Sequence, residues 1–252
     1  LRTPINGILG MLSIMEQSGE HPQRRLECQK KLRVSAEHLL SHVNEVLQVS
    51  KLQSGRPTVV QEPFDLHEIL ENCIMMLSVQ AEKAGIRLAL DEAQLHHNRL
   101  IGNPLQLKQI LMNIIDNALK YNRPHGSVSV RVTESAFEGE TANFRFVIED
   151  TGIGIGEDFK ERIFEPFAQE HHGARTNYNG AGLGMSIAKK LADQMEGTIE
   201  VDSQPGKGTV VLVTLPLQID RTQSAPPAED EQNTPGNVAG MRVLLVEDNE
   251  IN

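Results

Sequence analysis

Tryptophan is absent from the 252-residue chain, and aromatic residues make up only 4% of the sequence. A hydrophobic core with so few rings has to be built mainly from aliphatic side chains. Cysteine is almost absent too, since Cys28 and Cys73 stand alone without the CxxC or ligand-like spacing of a metal site. We interpret them as two buried or half-buried thiols in a reducing compartment, with a disulfide between them as the weaker alternative.

The chain also lacks a long apolar run and an excess of positive charge. No stretch of 18 or more apolar residues occurs and no signal peptide opens the sequence, so we expect no segment to span a membrane, while an upstream span stays open. The formal net charge is -10, and the basic residues are scattered. Binding to nucleic acid or to an anionic membrane surface needs a clustered positive field, so both are disfavoured.

Two helices are predicted at the start of the chain. In residues 1–17 the apolar residues fall at steps of three and four, which is typical of a helix with one buried stripe. Residues 23–53 alternate steps of four and three, as in a coiled-coil seam, at Leu32, Ala36, Leu39, Val43, Val46 and Ser50. A hairpin of two helices cannot enclose such stripes alone, so we expect a four-helix bundle with a second copy. Packing on the chain's own globular domain is the alternative.

The middle of the chain mixes helices with strands. Helices are predicted at residues 64–83, 105–121 and 184–195, and strands at 87–90, 127–133, 144–149, 198–201 and 209–215. Interleaved helices and mostly hairpin-connected strands predict an α/β sandwich, in which one sheet has helices on one face. The predicted fold class is therefore α+β, a dimerising helical hairpin followed by an α/β sandwich.

The end of the chain changes in composition. Residues 221–240 are rich in Pro, Ser, Gln, Asn, Glu and Gly, which predicts a flexible linker. Residues 241–249 then indicate a buried strand that ends in two acids, Glu247 and Asp248, and begins another domain. We predict domain boundaries at 1–57 for the hairpin, 58–218 for the sandwich, 219–240 for the linker and 241–252 for the start of the further domain.

Three groups of residues carry the candidate chemistry. In the first group, Asn113, Asn117 and Lys120 share one face of a helix because they stand at steps of four and three. Two amides and an amine on one face can hold a hydrated Mg²⁺ ion and the phosphates that it bridges, since Mg²⁺ prefers oxygen ligands and keeps several waters. The alternative is an ordinary solvated helix face.

The other two groups contain glycine. Asp150 ends an apolar strand just before Gly152 and Gly154. There a carboxylate can accept a hydrogen bond from an exocyclic amine such as that of adenine, while the glycines let the backbone approach the ring. Residues 180–184 precede a helix whose free amides and dipole favour an anion such as a triphosphate. A plain turn is the alternative for each, but together the three groups predict an ATP pocket.

A long polar loop lies between the two glycine groups. Residues 156–179 have Phe164 and Phe167 as their main apolar anchors, with Gly173 near a hinge, which predicts a lid over the pocket. Metal binding by the pairs His96-His97 and His171-His172 is disfavoured because neighbouring side chains diverge on both helix and strand.

Taken together, these residues closely resemble the hybrid sensor histidine kinases of bacterial two-component systems, with their GHKL-type (Bergerat) ATP-binding domain. Residues 113–122 resemble the N box of that family, 150–154 and 180–184 its two glycine boxes, 163–167 its F box, and 206–209 the glycine turn before its last strands. Residues 1–4 resemble the tail of the H box, and residues 243–252 resemble the opening of a receiver domain. The resemblance covers nearly the whole chain.

The resemblance implies roles for the site residues. Asp150 would hold the adenine, Asn117 the Mg²⁺ ion, and Asn113, Lys120 and Tyr121 the phosphate side, with Asn113 and Lys120 taking part in catalysis. It implies further contacts to ATP, several of them through backbone amides, from Gly152, Gly154, Phe167, Gly180, Gly182, Leu183, Gly184 and Thr209. The family pattern thus implies ATP and Mg²⁺ as cofactors, in agreement with the prediction from the residues alone.

The resemblance also bears on the two ends of the chain. In the family pattern the phosphorylated His and its acidic neighbour stand immediately before Leu1, and the phosphoacceptor Asp of the receiver lies beyond Asn252. We therefore expect this chain to bind ATP and dimerise without phosphorylating itself. Thr3 matches a position that orients water for dephosphorylation in many relatives, and Glu247 with Asp248 matches the acidic Mg²⁺ pair of the receiver, as an incomplete site.

The function that the resemblance implies is the core of a two-component phosphorelay. The γ-phosphoryl group would pass from ATP to a His on the hairpin and then to a receiver Asp, in cis or in a separate response regulator, mainly through positioning and charge neutralisation. We expect a homodimer that is cytoplasmic, alone or as the cytoplasmic part of a membrane-anchored sensor. Asn103 and Asn122 depart from the usual Asp and Thr or Ser, and both leave the pocket plausible.

Two alternatives stay open. One is a noncatalytic dimerisation and signalling module that keeps the pocket to sense nucleotide. The other is an ATPase with the same nucleotide fold, such as gyrase, the mismatch-repair ATPases or the ninety-kilodalton chaperones. Those enzymes place a Glu general base where this chain has Asn113, and an amide cannot take a proton from water.

Overall fold

The computed structural model describes residues 2–17, 22–53, 61–169 and 182–222. The chain divides into two units, Leu1–Asp220 and Arg221–Asn252, and only the first two residues of the second unit are among those described. Several predictions therefore fall outside the described part of the chain: the linker beyond 222, the receiver start with Glu247 and Asp248, the domain boundary at 57, Gly180, and residues 170–179 of the lid.

The hairpin consists of two helices that pack against each other, α1 at Arg2–Gln17 and α2 at Pro22–Gln53. Its apolar stripe is only half covered in a single chain, since Leu9 of α1 is 57% exposed and Val43 of α2 is 40% exposed. Ile5 and Leu12 of α1 are exposed as well. Val46 and Ser50 of the predicted seam lie on α2, where the structure does not describe their side chains.

A seven-stranded sheet forms the rest of the first unit. Its strands are β1 (Glu62–Asp65), β2 (Arg87–Gln94), β3 (Arg99–Gly102), β4 (Ser127–Glu138), β5 (Thr141–Asp150), β6 (Thr198–Gln204) and β7 (Gly208–Ile219). The order across the sheet is β1-β3-β7-β5-β4-β2, with β6 also paired to β7. Every pairing is antiparallel except that of β2 with β4. The long β7 has β5 on one side, and β6 followed by β3 on the other.

Helices α3 (Leu66–Ala84), α4 (Pro104–Lys120), the short α5 (Glu157–Lys160) and α6 (Gly184–Gln194) complete the unit. The first N–H groups of a helix need hydrogen-bond acceptors. At the start of α3 and of α4, the side chain of the N-cap residue supplies one. Asp65 accepts from the backbone N–H of Glu68 at 3.2 Å, and Asn103 accepts from that of Gln106 at 3.1 Å. Asn103 thus caps α4 in the place where relatives often carry Asp.

The core lies between the sheet and the three longer helices of this part. On β5, the residues facing the helices are buried and aliphatic or aromatic, namely Ala142, Phe144, Phe146 and Ile148, whereas the residues between them at the start of the strand are exposed. This alternation is that of a sheet covered on one face. The predicted α/β sandwich is confirmed. Cys28 and Cys73 are both buried and free, so no disulfide joins them.

Two short strands and one helix start differ from the sequence prediction. β1 and β3 were not predicted, and they pair with each other, Phe64 lying opposite Leu100. Helix α3 was predicted from residue 64, but it begins at Leu66 because the side chain of Asp65 caps it. Both strands are four residues long, too short to show a periodicity of their own.

The end of α6 and the end of the sheet also differ in detail. Glu196, with φ 58°, takes the left-handed conformation after α6 that is more usual for glycine. The next residue, Gly197, is needed for packing, because a Cβ atom there would lie 2.4 Å from the backbone carbonyl oxygen of Thr214. Strand β7 continues to Ile219, and Asp220 donates its N–H to the carbonyl of Arg99 at 3.0 Å, so the ordered sandwich extends past the predicted boundary at 218.

Candidate functional site

Two of the predicted groups meet where α4 passes the start of α6: the polar face of α4 with Asn113 and Asn117, and the glycine group that ends at Gly184. A Cβ atom built on Gly184, the first residue of α6, would lie 3.6 Å from Nδ2 of Asn117 and 3.9 Å from Cβ of Asn113. No side chain among the described residues caps the first N–H groups of α6, whose N-cap residue is Leu183. The absence of a side chain at Gly184 therefore leaves a gap beside two amides and a set of free backbone donors.

Only one end of the Asn113 side-chain amide is hydrogen-bonded to another described residue. Its Oδ1 atom accepts a hydrogen bond from Nε2 of Gln109, one helical turn earlier, at 3.1 Å. Its Nδ2 atom is buried and has no hydrogen-bond partner within the part of the chain that the structure describes. A buried donor without a partner is rare in folded proteins. The Asn113 side chain thus carries an unused donor close to the start of α6.

The end of α4 is joined to the first glycine group. Ile153 donates its backbone N–H to the carbonyl of Tyr121 at 3.1 Å. Nζ of Lys120 lies 5.2 Å from the centre of the Tyr121 ring, within the range of a cation–π interaction. A Cβ atom on Gly152 would lie 2.4 Å from the Tyr121 carbonyl oxygen, so no side chain fits there. These contacts place Asp150 and the face of α4 around one site.

The carboxylate of Asp150 is fixed at the end of β5. It accepts a hydrogen bond from the N–H of Gly152 at 2.7 Å and another from the backbone N–H of Thr209. Burial raises the pKa of the Asp150 carboxyl from 3.8 to about 6; the two N–H groups act in the opposite direction, and the charge of Glu149 adds to the rise. The group is ionised at pH 7 and titrates close to neutrality.

The first glycine group rests on the turn between β6 and β7. Ser203 accepts the N–H of Ile155 at 2.9 Å and donates to the carbonyl of Gly208 at 2.9 Å. The hydroxyl of Thr209 lies 2.9 Å from that of Ser203, so it is used inside this network. Gly154 adopts φ 69° and comes so close to Gln204 that a side chain there would clash with the backbone. Thr209 therefore contacts the site through its backbone N–H, which donates to the Asp150 carboxylate.

Asn122 closes the network between α4 and the glycine group. The residue is buried and donates from Nδ2 to the carbonyl oxygens of Ala118 and Ser127 at 3.2 and 3.0 Å. Its Oδ1 accepts the hydroxyl of Thr151 at 3.3 Å. Asn122 thus departs from the family pattern, and both ends of its side-chain amide are hydrogen-bonded. Sequence reasoning noted the departure but not this structural role.

Two remaining site residues border the predicted lid. Phe167 donates its N–H to the carbonyl of Gly182 at 3.0 Å, and both adopt a left-handed conformation, with φ 66° and 71°. The Phe167 side chain is 63% exposed, whereas that of Leu183 is fully buried, so Leu183 can reach a ligand only through its backbone. Thr3 lies on α1, and the structure does not describe its side chain.

Sequence reasoning missed Gln109 and Ser203. A signal existed for each: Gln109 shares the helix face of Asn113 and Asn117 at a step of four, and Ser203 is a polar residue at a buried position of β6. The role of each site residue proposed from sequence remains a prediction.

The histidine pair at 96 and 97 is used for structure. Both backbone N–H groups donate to Oε2 of Glu134 at 3.0 Å, and the ring of His97 lies 2.7 Å from Oε1. Burial would raise the pKa of Glu134, but these hydrogen bonds outweigh it and hold the pKa below its ordinary value. Among the described residues no cluster of three or more His, Cys, Asp or Glu side chains could hold a metal ion.

Comparison with known proteins identifies the family. Residues 1–55 match the family model of the His Kinase A (phospho-acceptor) domain, and residues 102–219 match that of the Histidine kinase-, DNA gyrase B-, and HSP90-like ATPase. The two matched segments correspond to the hairpin and to most of the sandwich with its site. The chain belongs to the sensor histidine kinases, and its full-length relatives are of the hybrid type, as the sequence resemblance predicted.

Two curated relatives align with the whole chain. The autoinducer 2 sensor kinase/phosphatase LuxQ of Vibrio parahaemolyticus is 36% identical over 257 residues, and the sensor histidine kinase GacS of Pseudomonas protegens is 33% identical over 252 residues. The chain spans 30% of the first protein and 26% of the second. It therefore corresponds to about a third or less of the relatives' length.

Solved structures agree with this assignment. The crystal structure of full-length ShkA in complex with AMPPNP gives a TM-score of 0.64 at 30% identity, over 87% of this chain and 44% of that one. The histidine kinase ThkA in complex with the response regulator TrrA gives 0.66 at 21% identity, over 85% and 58%, which supports the fold alone. Within the described residues, no helix has the length and apolar character needed to cross a bilayer.

Proposed function

We propose that the chain is the catalytic core of a hybrid histidine kinase that binds Mg-ATP at the site described above. The γ-phosphoryl group would be transferred to a His on the hairpin and then to a receiver Asp. The observation that carries this proposal is the meeting of Asn113 and Asn117 with Gly184, beside a carboxylate at Asp150 that is fixed by two N–H donors. Amides, free helix donors and a carboxylate suit the phosphates and the adenine of one nucleotide.

Each part of the site has a task in this proposal. The Asp150 carboxylate accepts the adenine amine, and Gly152 holds that carboxylate through its N–H at a position where a Cβ atom would lie 2.4 Å from the Tyr121 carbonyl oxygen. The free N–H groups at the start of α6 and Nδ2 of Asn113 donate to phosphate oxygens. Asn117 supplies an oxygen toward Mg²⁺, which when bound neutralises phosphate charge. Lys120 and Tyr121, at the end of α4, bound the same side of the site.

The site residues are better suited to phosphoryl transfer from ATP than to hydrolysis of ATP. A hydrolytic member of this fold needs a base that takes a proton from the attacking water. Asn113 occupies the position of that base in the gyrase-like ATPases, and its Oδ1 atom is already bonded to Gln109. An imidazole acceptor needs only to be positioned in line with the γ-phosphate, so an amide at Asn113 is no obstacle to transfer.

The hairpin supplies the partner surface in this proposal. Its exposed apolar residues on α1 and α2 would pair with a second copy to form a four-helix bundle around the acceptor His. A receiver, in cis beyond the linker predicted at 219–240 or in a separate response regulator, would dock on this bundle. We keep the domain boundaries at 1–57 and 241–252 as part of the proposal, and we end the sandwich predicted at 58–218 with β7, at Ile219. We propose that this core works in the cytoplasm.

Phosphoryl transfer can be tested with an extended chain. We expect the chain preceded by His-Glu, incubated with Mg²⁺ and γ-labelled ATP, to acquire acid-labile label, whereas the chain beginning at Leu1 acquires none. Asp150→Asn in the extended chain is the matched control and should lose most of the label, since one of two acceptor oxygens is replaced by a donor.

Two other outcomes would contradict the proposal. ATP binding without label on the extended chain would favour the noncatalytic signalling module. Steady release of inorganic phosphate without label would favour the ATPase, and its loss in Asn113→Ala would assign that hydrolysis to this site.

A further inference from the structure

Two side-chain amides are bonded to each other on the face of α4 that borders the site. Nε2 of Gln109 donates to Oδ1 of Asn113 at 3.1 Å, and both side chains are half-buried. The residues stand one helical turn apart, so the bond can form without any change of the backbone. This pair lies beside the start of α6, because Cγ of Asn113 is 3.9 Å from the position of a Cβ atom on Gly184.

The bond decides which end of the Asn113 amide remains for a ligand. An amide offers one acceptor atom and one donor atom, and its two orientations differ by exchange of the two. With Oδ1 taken by Gln109, the donor Nδ2 is left, and it is buried without a partner among the described residues. The neighbouring backbone groups at the start of α6 are donors as well. A cluster made of donors alone fits an anion.

We propose that Gln109 is a positioning residue that fixes the Asn113 amide with its Nδ2 atom toward a phosphate oxygen of the nucleotide. The inference rests on the proposed function, since it concerns the same nucleotide site. It also divides the work between the two asparagines of α4. Asn113 serves the phosphate through a donor, and Asn117 keeps an oxygen for the metal ion.

Gln109→Glu tests this directly. Glutamate has nearly the same shape but only acceptor atoms when ionised, so it can bond Asn113 only through Nδ2. The amide then turns its oxygen toward the phosphate, where two acceptors repel. We expect the affinity for a fluorescent ATP analogue with Mg²⁺, measured by titration, to fall about 10- to 100-fold. An affinity within twofold of the original chain would overturn the proposal.

A second amide pair on the same helix provides the matched control. Nε2 of Gln106 donates to Oε1 of Gln194 on α6 at 3.2 Å, in an exposed position away from Asn113. Gln106→Glu introduces the same charge on α4 and removes the same kind of hydrogen bond. We expect it to change nucleotide affinity less than twofold. A loss as large as that of Gln109→Glu would show that the charge alone is responsible and would overturn the proposal.

A double-mutant cycle separates positioning from direct contact. In an Asn113→Ala background no amide is left to orient, so Gln109→Glu should cost less than about threefold in affinity there. The full loss persisting in that background would mean that residue 109 acts on the nucleotide directly or through its charge, and would overturn the proposal. Where the glutamate variant does not fold, Gln109→Met provides the same cycle, with a smaller expected loss of several-fold.

Failure of this inference is distinguishable from failure of the proposed function. The original chain binding the analogue, with Gln109→Glu binding equally well, removes only the role of Gln109. No binding by the original chain itself removes the nucleotide site and with it both proposals.

Discussion

Asp150 combines burial with a pKa near neutrality, and this makes the proposed adenine contact sensitive to pH. Its carboxyl titrates at about 6 in the absence of nucleotide, because burial disfavours the charged form. The adenine amine is a donor and requires the ionised carboxylate. We expect ATP affinity to be constant above pH 7 and to fall below pH 6, by up to about tenfold per pH unit, because the carboxyl must first lose its proton.

The phosphates of ATP titrate in a similar range, so the measurement needs a control. Asp150→Asn cannot ionise, and its remaining pH dependence, measured between pH 5 and 8 by the same fluorescence titration, is that of the ligand. The affinity of the original chain divided by that of Asp150→Asn therefore reports the contribution of the ionised Asp150 carboxyl. This ratio should be about 10 to 100 at pH 8 and shrink toward pH 5. A ratio that does not change with pH would refute an ionised Asp150 as the adenine acceptor.

Between elements, the packing of α4 against α6 is the feature on which the site depends. A methyl group at Gly184 would meet its neighbours at ordinary van der Waals distance, with 3.6 Å as the shortest contact, so Gly184→Ala should fold normally. The methyl group would nevertheless occupy the gap in front of the α6 donors. We expect the free energy of unfolding to change by less than about 1 kcal/mol and ATP affinity to fall at least about tenfold.

Gly10→Ala is the corresponding control on α1. Outside its own helix backbone, no atom of the described residues lies within 4 Å of a Cβ atom there, and the residue lies far along the chain from the site. Urea unfolding and nucleotide titration of both variants give the comparison. Equal ATP affinity for Gly184→Ala and the original chain would show that phosphate does not approach the start of α6.

Much of this arrangement could be predicted from the sequence, and the reason differs from element to element. The helices α4 and α6 and the strand β5 show their periodicity because one face of each is buried against the core. The strands β1 and β3 are only four residues long, and what defines them is their pairing with each other across more than thirty residues.

The site residues also divide into those that the sequence predicts and those that only the structure reveals. Asn113, Asn117 and Asp150 could be predicted because their chemistry is visible in the types and spacing of neighbouring residues. Ser203 acts by joining Ile155 to Thr209, and Asn122 by joining Ala118 to Thr151, contacts that only the folded chain brings about. After α6 the left-handed residue is Glu196, whereas Gly197 is required by its close approach to the backbone of Thr214, a contact that the sequence does not reveal.

For the whole molecule, we expect the half-covered stripe of the hairpin to determine the state of association in solution. Leu9 of α1 is 57% exposed in the single chain, and a charge there would have to be buried in a four-helix bundle. We expect Leu9→Glu to weaken the homodimer by at least about 100-fold, measured by analytical ultracentrifugation. ATP binding should persist, since the nucleotide site is built from one chain.

Met75 of α3 offers a control of equal exposure outside the hairpin. It is 64% exposed, so Met75→Glu introduces the same charge on the sandwich and should leave the dimer intact. An original chain that sediments as a monomer at all concentrations would favour the alternative in which the hairpin stripe packs on its own sandwich.

The position of β7 in the sheet has a consequence for synthesis on the ribosome. β7 is the last strand of the sandwich, yet it pairs with β3, β5 and β6, and Thr209 at its start holds the carboxylate of Asp150. While the chain emerges, one edge of β5 stays unpaired until the residues up to Ile219 have left the exit tunnel, which exposes the nascent protein to aggregation. Translation that stops short of β7 would therefore yield a polypeptide whose Asp150 lacks the N–H donor from Thr209.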